Sequence, residues 1–449
     1  MRCLLATVAA LLVFAAPAGA EEKLLTLYSP PIDSEPYVHK STTVPLKPDG
    51  VEAPAEPGYM LGFAEQVLVD SKDPDAEPLP VSKMMVHHLL YFTGGRTTES
   101  LGCLGPQFLG GRGEEHPDGQ FAALFPPAIR DRYGVRNVNA AGAAPEWSVT
   151  AMVMNHYQRS KRFYVRTKLW YTTDPREAVV PTTIGDCKHL LNGMAYDVPG
   201  GGGTYVDRSQ WTVPFNGRIL SGGSHHHGGA TRQTLVSKTC SRGLLDAKAY
   251  YGAADHPYNT VRPILHEPGP IANGTFTSAA GIPIAAGEVL ERTAYHDNSS
   301  LHVAAMGFWV LYVARDESVT RCAPLPNDVA EVTRPPKYDR RAPYVYDREV
   351  PQLFTPSGRW RSVGRVLPVG DQYFRPARLT SKAGERITWR FAGVEPHSVT
   401  VANGPRGFSS NYLGQAAGEY SFTPTVPGTY RLTCLIHPTT MGQTLKVTR

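Results

Sequence analysis

The 449-residue chain has no Lys/Arg run that could track a nucleic acid, few segments with a sustained helical apolar period, and no evident internal repeat. After the first twenty residues it also lacks any uninterrupted apolar stretch of membrane-spanning length. The first absence, with a formal net charge of only +5, excludes nucleic acid as a partner. The second, beside 43 Gly and 39 Pro, predicts an all-β chain, and the length predicts two or three domains. The last predicts no membrane span. Cysteine is scarce as well, at six residues, so each one carries information.

Residues 1–20, MRCLLATVAALLVFAAPAGA, place Arg2 before an apolar run from Leu4 to Ala16 and end on Ala18-Gly19-Ala20. This reads as a secretory signal cleaved before Glu21, which predicts a secreted or periplasmic protein. Cys3 leaves with it, and Cys103, Cys187, Cys240, Cys322 and Cys434 remain. In an oxidising compartment four of these pair and one is left over.

The odd cysteine finds its reason at the C-terminus. Short alternating runs such as RITWRF, HSVTV and TYRLTC, separated by Gly/Pro turns, predict a small β-sandwich over 371–449. In it His397 precedes a Cys434, His437, Met441 cluster by about forty residues. One thiolate, two imidazoles and a thioether suit a copper that alternates between +1 and +2, with Met as a weak axial ligand. The Cys-x2-His-x3-Met loop with a lone upstream His resembles the cupredoxins over roughly 372–449. That resemblance implies a Greek-key sandwich, a type 1 copper, and His397, Cys434, His437 and Met441 as its ligands. The plainer alternative makes Cys434 a buried core thiol and the histidines surface residues.

Histidines also gather upstream. KMMVHHLLYF sets His87-His88 in a strand-like run, and VTAMVMNHYQ ends another at His156. Neighbours on a regular strand face opposite ways, so His87 and His88 can share a metal only at a bulge or a strand end. In GGSHHHGGATRQ, His225 and His227 share a face if the segment is extended, and His226 points away. Further on, HVAAMGFWVLYVA begins an aromatic run with Met306. Singly, His156 reads as a structural histidine and Met306 as a core gap-filler. His302, four residues before Met306, competes as ligand or supporting partner, and His226 competes with His225. His39, His116, His189, His256, His266 and His296 read as surface or loop residues.

In this order (His-His, His, His-x-His, Met) the residues resemble the copper type II, ascorbate-dependent monooxygenases, the family of the peptidylglycine α-hydroxylating and dopamine β-monooxygenases, over roughly residues 55–320. The resemblance implies two adjoining antiparallel, jelly-roll-like β-sandwiches and two coppers. His87, His88 and His156 would hold one, and His225, His227 and Met306 the other, where catalysis occurs. It further implies O2 and a small-molecule substrate, with ascorbate or a redox protein as reductant. The family's substrate-carboxylate Arg position is Gly223 here and its substrate Tyr position is Val310, with Tyr312 nearby. A peptide carboxylate is therefore not the expected substrate.

Cys103 and Cys187 flank His156 while Cys240 and Cys322 bracket Met306, which favours 103–187 and 240–322 among three connectivities. Each bridge would close a loop of more than eighty residues, worth roughly 4 kcal/mol in the chain-entropy model. The expected organisation is a signal at 1–20, a Pro-rich arm at 21–55, copper domains at 56–198 and 205–323, a Pro-rich linker at 324–370 and the cupredoxin-like domain at 371–449. The functional expectation is a copper monooxygenase hydroxylating a C–H bond, with the third domain as electron relay. Two others compete: a non-catalytic copper-binding or electron-transfer protein, and an adhesin-like string of sandwiches that holds no copper.

Overall fold

A computed structural model of the chain describes residues 22–36, 38–44, 50–81, 83–94, 101–105, 107–113, 125–157, 159–187, 195–198, 202–253, 256, 267, 269–298, 302–333, 354–364, 366–410 and 414–449. The signal at 1–20 and His116, His189 and His266 lie outside these residues. Among them the chain is all-β with one short helix, Pro127–Arg130, and no helix is long and apolar enough to cross a membrane.

Strand His302–Arg315 organises the first two sandwiches. Its continuous apolar text is that of a strand covered on both sides, and alternation sends its side chains into two cores. Met306, Phe308, Val310, Tyr312 and Ala314 join the core that holds Val86, Leu89, Tyr91 and Trp147. Trp309, Leu311 and Val313 join the core that holds Leu235, Leu245, Ile284 and Leu290. One sheet therefore runs through both units. From strand Glu177–Ile184, paired antiparallel with His302–Arg315 from Val179↔Ala314 to Ile184↔Trp309, it continues into Gly217–His226 and Thr275–Ile284.

Two smaller sheets accompany it. One orders Val38–Val44, Trp147–Asn155, Met84–Thr93 and Phe108–Arg112, and its residues share the core that holds Met306. The other orders Thr204–Thr212, Val289–Asp297, Ala230–Ser237, Arg242–Tyr250 and Ala272–Asn273. Tyr312 Oη donates to the Leu109 carbonyl at 3.2 Å, so the shared strand is also tied to the smaller sheet by a buried hydrogen bond. The third sandwich, with a core around Trp389, Phe408 and Tyr430, places its strand Thr400–Asn403 close to His302–Arg315.

The pairings add detail at the expected boundaries. The extended segment at 21–55 is paired into the first sandwich: Lys23–Tyr28 and Ile32–Ser34 pair with Lys161–Thr172, and Val38–Val44 pairs with Trp147–Asn155. Ala330–Glu331, expected in the linker, is an edge strand on Thr275–Ile284, with Asp328 accepting from Ser278 Oγ and the Ala280 N–H. Leu367–Gly370 pairs parallel with Ile387–His397, and Arg361–Ser362 with Arg378–Lys382, so the third sandwich begins before 371. Such two- to four-residue strands carry too little alternation to be read from sequence.

Cys103–Cys187 and Cys240–Cys322 are disulfide-bonded, with Cα separations of 5.0 and 5.4 Å, and Cys434 is the buried free thiol. Both bridges and the shared sheet lie before residue 334. A chain ended after Thr333 should keep the cooperative unfolding of the double sandwich, measured by calorimetry, whereas one ended at Leu325 loses the edge strand and should melt earlier.

Candidate metal centres

His87 and His88 can face one way because the strand that carries them is irregular at that point. Met84–Thr93 pairs with Trp147–Asn155 as Val86↔Val153 and then His88↔Met152, so His87 is the extra residue of a bulge. The two rings lie 4.2 Å apart by centroid. His156 follows the partner strand, buried, with its N–H on the Lys83 carbonyl.

The triplet behaves as an extended strand as far as His226. His225 pairs with Phe308 and His226 with Gly307, and the His227 N–H reaches the Met306 carbonyl at 3.4 Å. Cross-strand partners share a face, so His225 and Phe308 lie on the side of Met306 and Val310, with His227 next in register beside Met306. The His225 and Phe308 rings sit 4.7 Å apart.

The two motifs meet. His88 Nε2 lies 3.1 Å from His225 Nε2 and 3.2 Å from His227 Nε2, although 137 and 139 residues separate them in sequence. The donor atoms of His87, His88 and His227 lie within 4.8 Å of one another, and all three residues are buried. Separations near 3 Å are the edges expected around one ion with bonds of about 2.0 Å, so the nitrogens fit a single metal. The geometry thus departs from the division into a His87, His88, His156 set and a His225, His227, Met306 set: His88 joins the second motif, and His156 is not in the compact group. The cause is the shared sheet, which puts the face carrying His225 against the sheet carrying His88.

The competing histidines have other partners. His226 Nδ1 lies 2.7 Å from Asn273 Oδ1, in the buried interior of the second sandwich. His302 has Nδ1 2.6 Å from Glu267 Oε1 and Nε2 2.7 Å from the Asp297 carbonyl, which engages both ring nitrogens. Its hydrogen bond to Glu267 raises its pKa. His296, expected at the surface, is fully buried with Nε2 2.7 Å from Tyr196 Oη, and burial pushes its pKa down to about 3. His39 and His256 are likewise buried.

These environments set an expected result for the triplet. His225→Ala or His227→Ala should remove metal from the shared centre, read by metal analysis after dialysis. His226→Ala should retain it and instead lower thermal stability by about 1–3 kcal/mol, because Asn273 keeps a buried amide without its partner.

The third sandwich builds its centre at one end. Ile387–His397 ends on its histidine, Gly428–Thr433 stops before Cys434, and Gly442–Thr448 starts after Met441, so the ligand loop is pinned by strands on both sides. His397 Nδ1 is 3.2 Å from His437 Nδ1, and Cys434 Sγ is 3.7 Å from the latter. His397, Cys434 and His437 form a compact donor group, with Met441 buried in the adjoining core. Two imidazoles and a thiol at these separations fit a trigonal soft metal site.

The surroundings hold the ligands in place. Asp371 Oδ1 lies 3.0 Å from His397 Nε2, which leaves Nδ1 for a metal. The hydrogen bond from His397, followed by the Val394 and Glu395 N–H groups, draws the Asp371 carboxyl down to about 2. Glu395 reaches His437 Nε2 at 3.0 Å. The Ser398 N–H points at Cys434 Sγ at 3.4 Å, while burial raises the pKa of the thiol.

No family model matches the chain, and no curated protein matches it. Among solved structures it is weakly similar to cupredoxins over about a fifth of its length. A mutant of amicyanin in its Cu(I) form is 23% identical, over 19% of this chain and 82% of that one, with a TM-score of 0.17. Auracyanin A, a "blue" copper protein from the green thermophilic photosynthetic bacterium Chloroflexus aurantiacus, is 21% identical over 20% of this chain and 100% of its own, also with a TM-score of 0.17. At that score the choice of metal rests on the donor atoms themselves.

Proposed function

We propose that the chain is a copper-dependent redox protein with two kinds of centre, and that it acts as a monooxygenase on a C–H bond of a small substrate. The observation that carries this reading is the meeting of His88 with His225 and His227 at 3.1 and 3.2 Å, beside the strand of Met306. Imidazole nitrogens with a nearby thioether suit copper in both oxidation states.

Copper held there would supply one-electron redox changes and O2 reduction. Hydroxylation balances as one substrate, one O2, two electrons and two protons giving one alcohol and one water. The electrons come from ascorbate or a redox protein, and the third sandwich, with its Cys434 centre and its approach to strand His302–Arg315, is suited to relay them. The protein's own part is to fix the donors on rigid strands, to keep water away through burial, and to hold the imidazoles from behind.

Burial favours a second reading. His88, His225, His227 and Met306 are at most 4% exposed, so the described residues around them must part for a substrate to reach them. A non-catalytic copper-binding or electron-transfer protein needs no such opening. With copper-loaded protein, reductant and a panel of small C–H substrates, monooxygenase action requires O2 uptake matched one to one by hydroxylated product. Reversible copper redox with no O2-dependent product from any substrate would leave the second reading.

A further inference from the structure

His39 belongs to the segment that reads as a Pro-rich arm, and neither the histidine motifs nor the family resemblance includes it. In the fold it is 3% exposed on strand Val38–Val44, registered opposite Met154, and its Nε2 lies 2.9 Å from His87 Nδ1. The two rings are 4.8 Å apart by centroid and tilted at 57° to one another.

We propose that His39 is a positioning residue of the shared histidine centre: it accepts the Nδ1–H of His87 and so presents His87 Nε2 as the donor atom. The inference rests on the copper reading above.

Three observations support it. His87 is the extra residue of a bulge between Val86↔Val153 and His88↔Met152, where the backbone turns its ring off the regular alternation and towards His39. The His87 ring lies 4.2 Å from His88 and 4.9 Å from His227, and with Nδ1 committed to His39 its Nε2 is left for the cluster. A metal-bound imidazole commonly donates its second N–H to an acceptor, which sets both tautomer and ring direction. His39 meets this need with its Nε2, and it is held rigidly because its strand pairs along its length with Trp147–Asn155. The N-terminal strand thereby becomes part of the centre.

The test compares His39→Ala, His39→Phe and His39→Gln in the full chain. Affinity is measured by Cu(I) competition with a colorimetric chelator, the site by Cu(II) paramagnetic resonance, and the fold by thermal unfolding. His39→Phe keeps the volume without an acceptor, and His39→Gln restores an acceptor oxygen. The expected result is copper at the histidine centre weakened about 10–100-fold in the Ala and Phe variants, with an altered resonance spectrum, and largely recovered in the Gln variant. The visible band of the Cys434 centre should be unchanged in all three. Unchanged affinity and spectrum in folded His39→Phe would overturn the proposal, as would a Gln variant as weak as the Phe variant. Wild-type protein that binds copper only at Cys434 would overturn the copper reading beneath it, a failure visible before any variant is compared.

Discussion

Cys434→Ser should abolish the intense visible absorption of the copper-loaded protein while leaving copper at the histidine centre. Such absorption arises from charge transfer between a thiolate and copper, and among the described residues Cys434 is the only cysteine outside the two disulfides. Burial raises the pKa of its thiol, so in the apo protein it stays protonated at neutral pH, and metal binding must displace that proton. Serine keeps the shape but is a far poorer ligand for a soft ion. The change should be complete in the optical spectrum and small in the unfolding of the first two sandwiches. A persistent band would remove Cys434 from the site.

His88→Ala should have the largest effect at the other centre. Its Nε2 is the one that lies close to both His225 and His227, from a different sheet and across the interface of the two motifs. Without it, the second motif keeps two imidazoles on one strand and loses the donor that closes the site. Copper affinity there should fall by more than the roughly 10–100-fold expected for a residue that only supports a ligand. Any O2-dependent turnover should fall to background, while the Cys434 band is retained. Chelator competition and optical spectra on one sample check both halves. If His88→Ala and His156→Ala empty one copper alike while the copper held by His225 and His227 stays, the centres are divided as the family resemblance implies.

Part of the local geometry around the histidines and Cys434 was legible because strand alternation and cysteine parity dictate pattern. Strand alternation required a bulge or a strand end for His87 and His88 to face together, and the structure has a bulge at His87. The same alternation turned His226 from its neighbours, and it bonds Asn273 in the second sandwich. The odd cysteine is the free one. The meeting of His88 with the triplet was not legible, because it depends on the long-range pairing of Val179 with Ala314 and on how one sheet is laid over another. His39 was hidden for a related reason: a single histidine among prolines and polar residues gives no period, and only its strand pairing carries it to His87. The short edge strand Ala330–Glu331 is two exposed residues, too few to show any alternation.

The most direct test of the central claim, that one chain holds a thiolate copper and a separate all-histidine copper built across two sandwiches, is paramagnetic resonance of the Cu(II)-loaded full chain with metal analysis of the same sample. Two components are expected: one with the narrow copper splitting of a thiolate site, lost in Cys434→Ser, and one coupled to imidazole nitrogens alone, lost in His88→Ala. A single thiolate-type signal with one copper per chain, or a second signal indifferent to His88, would contradict it.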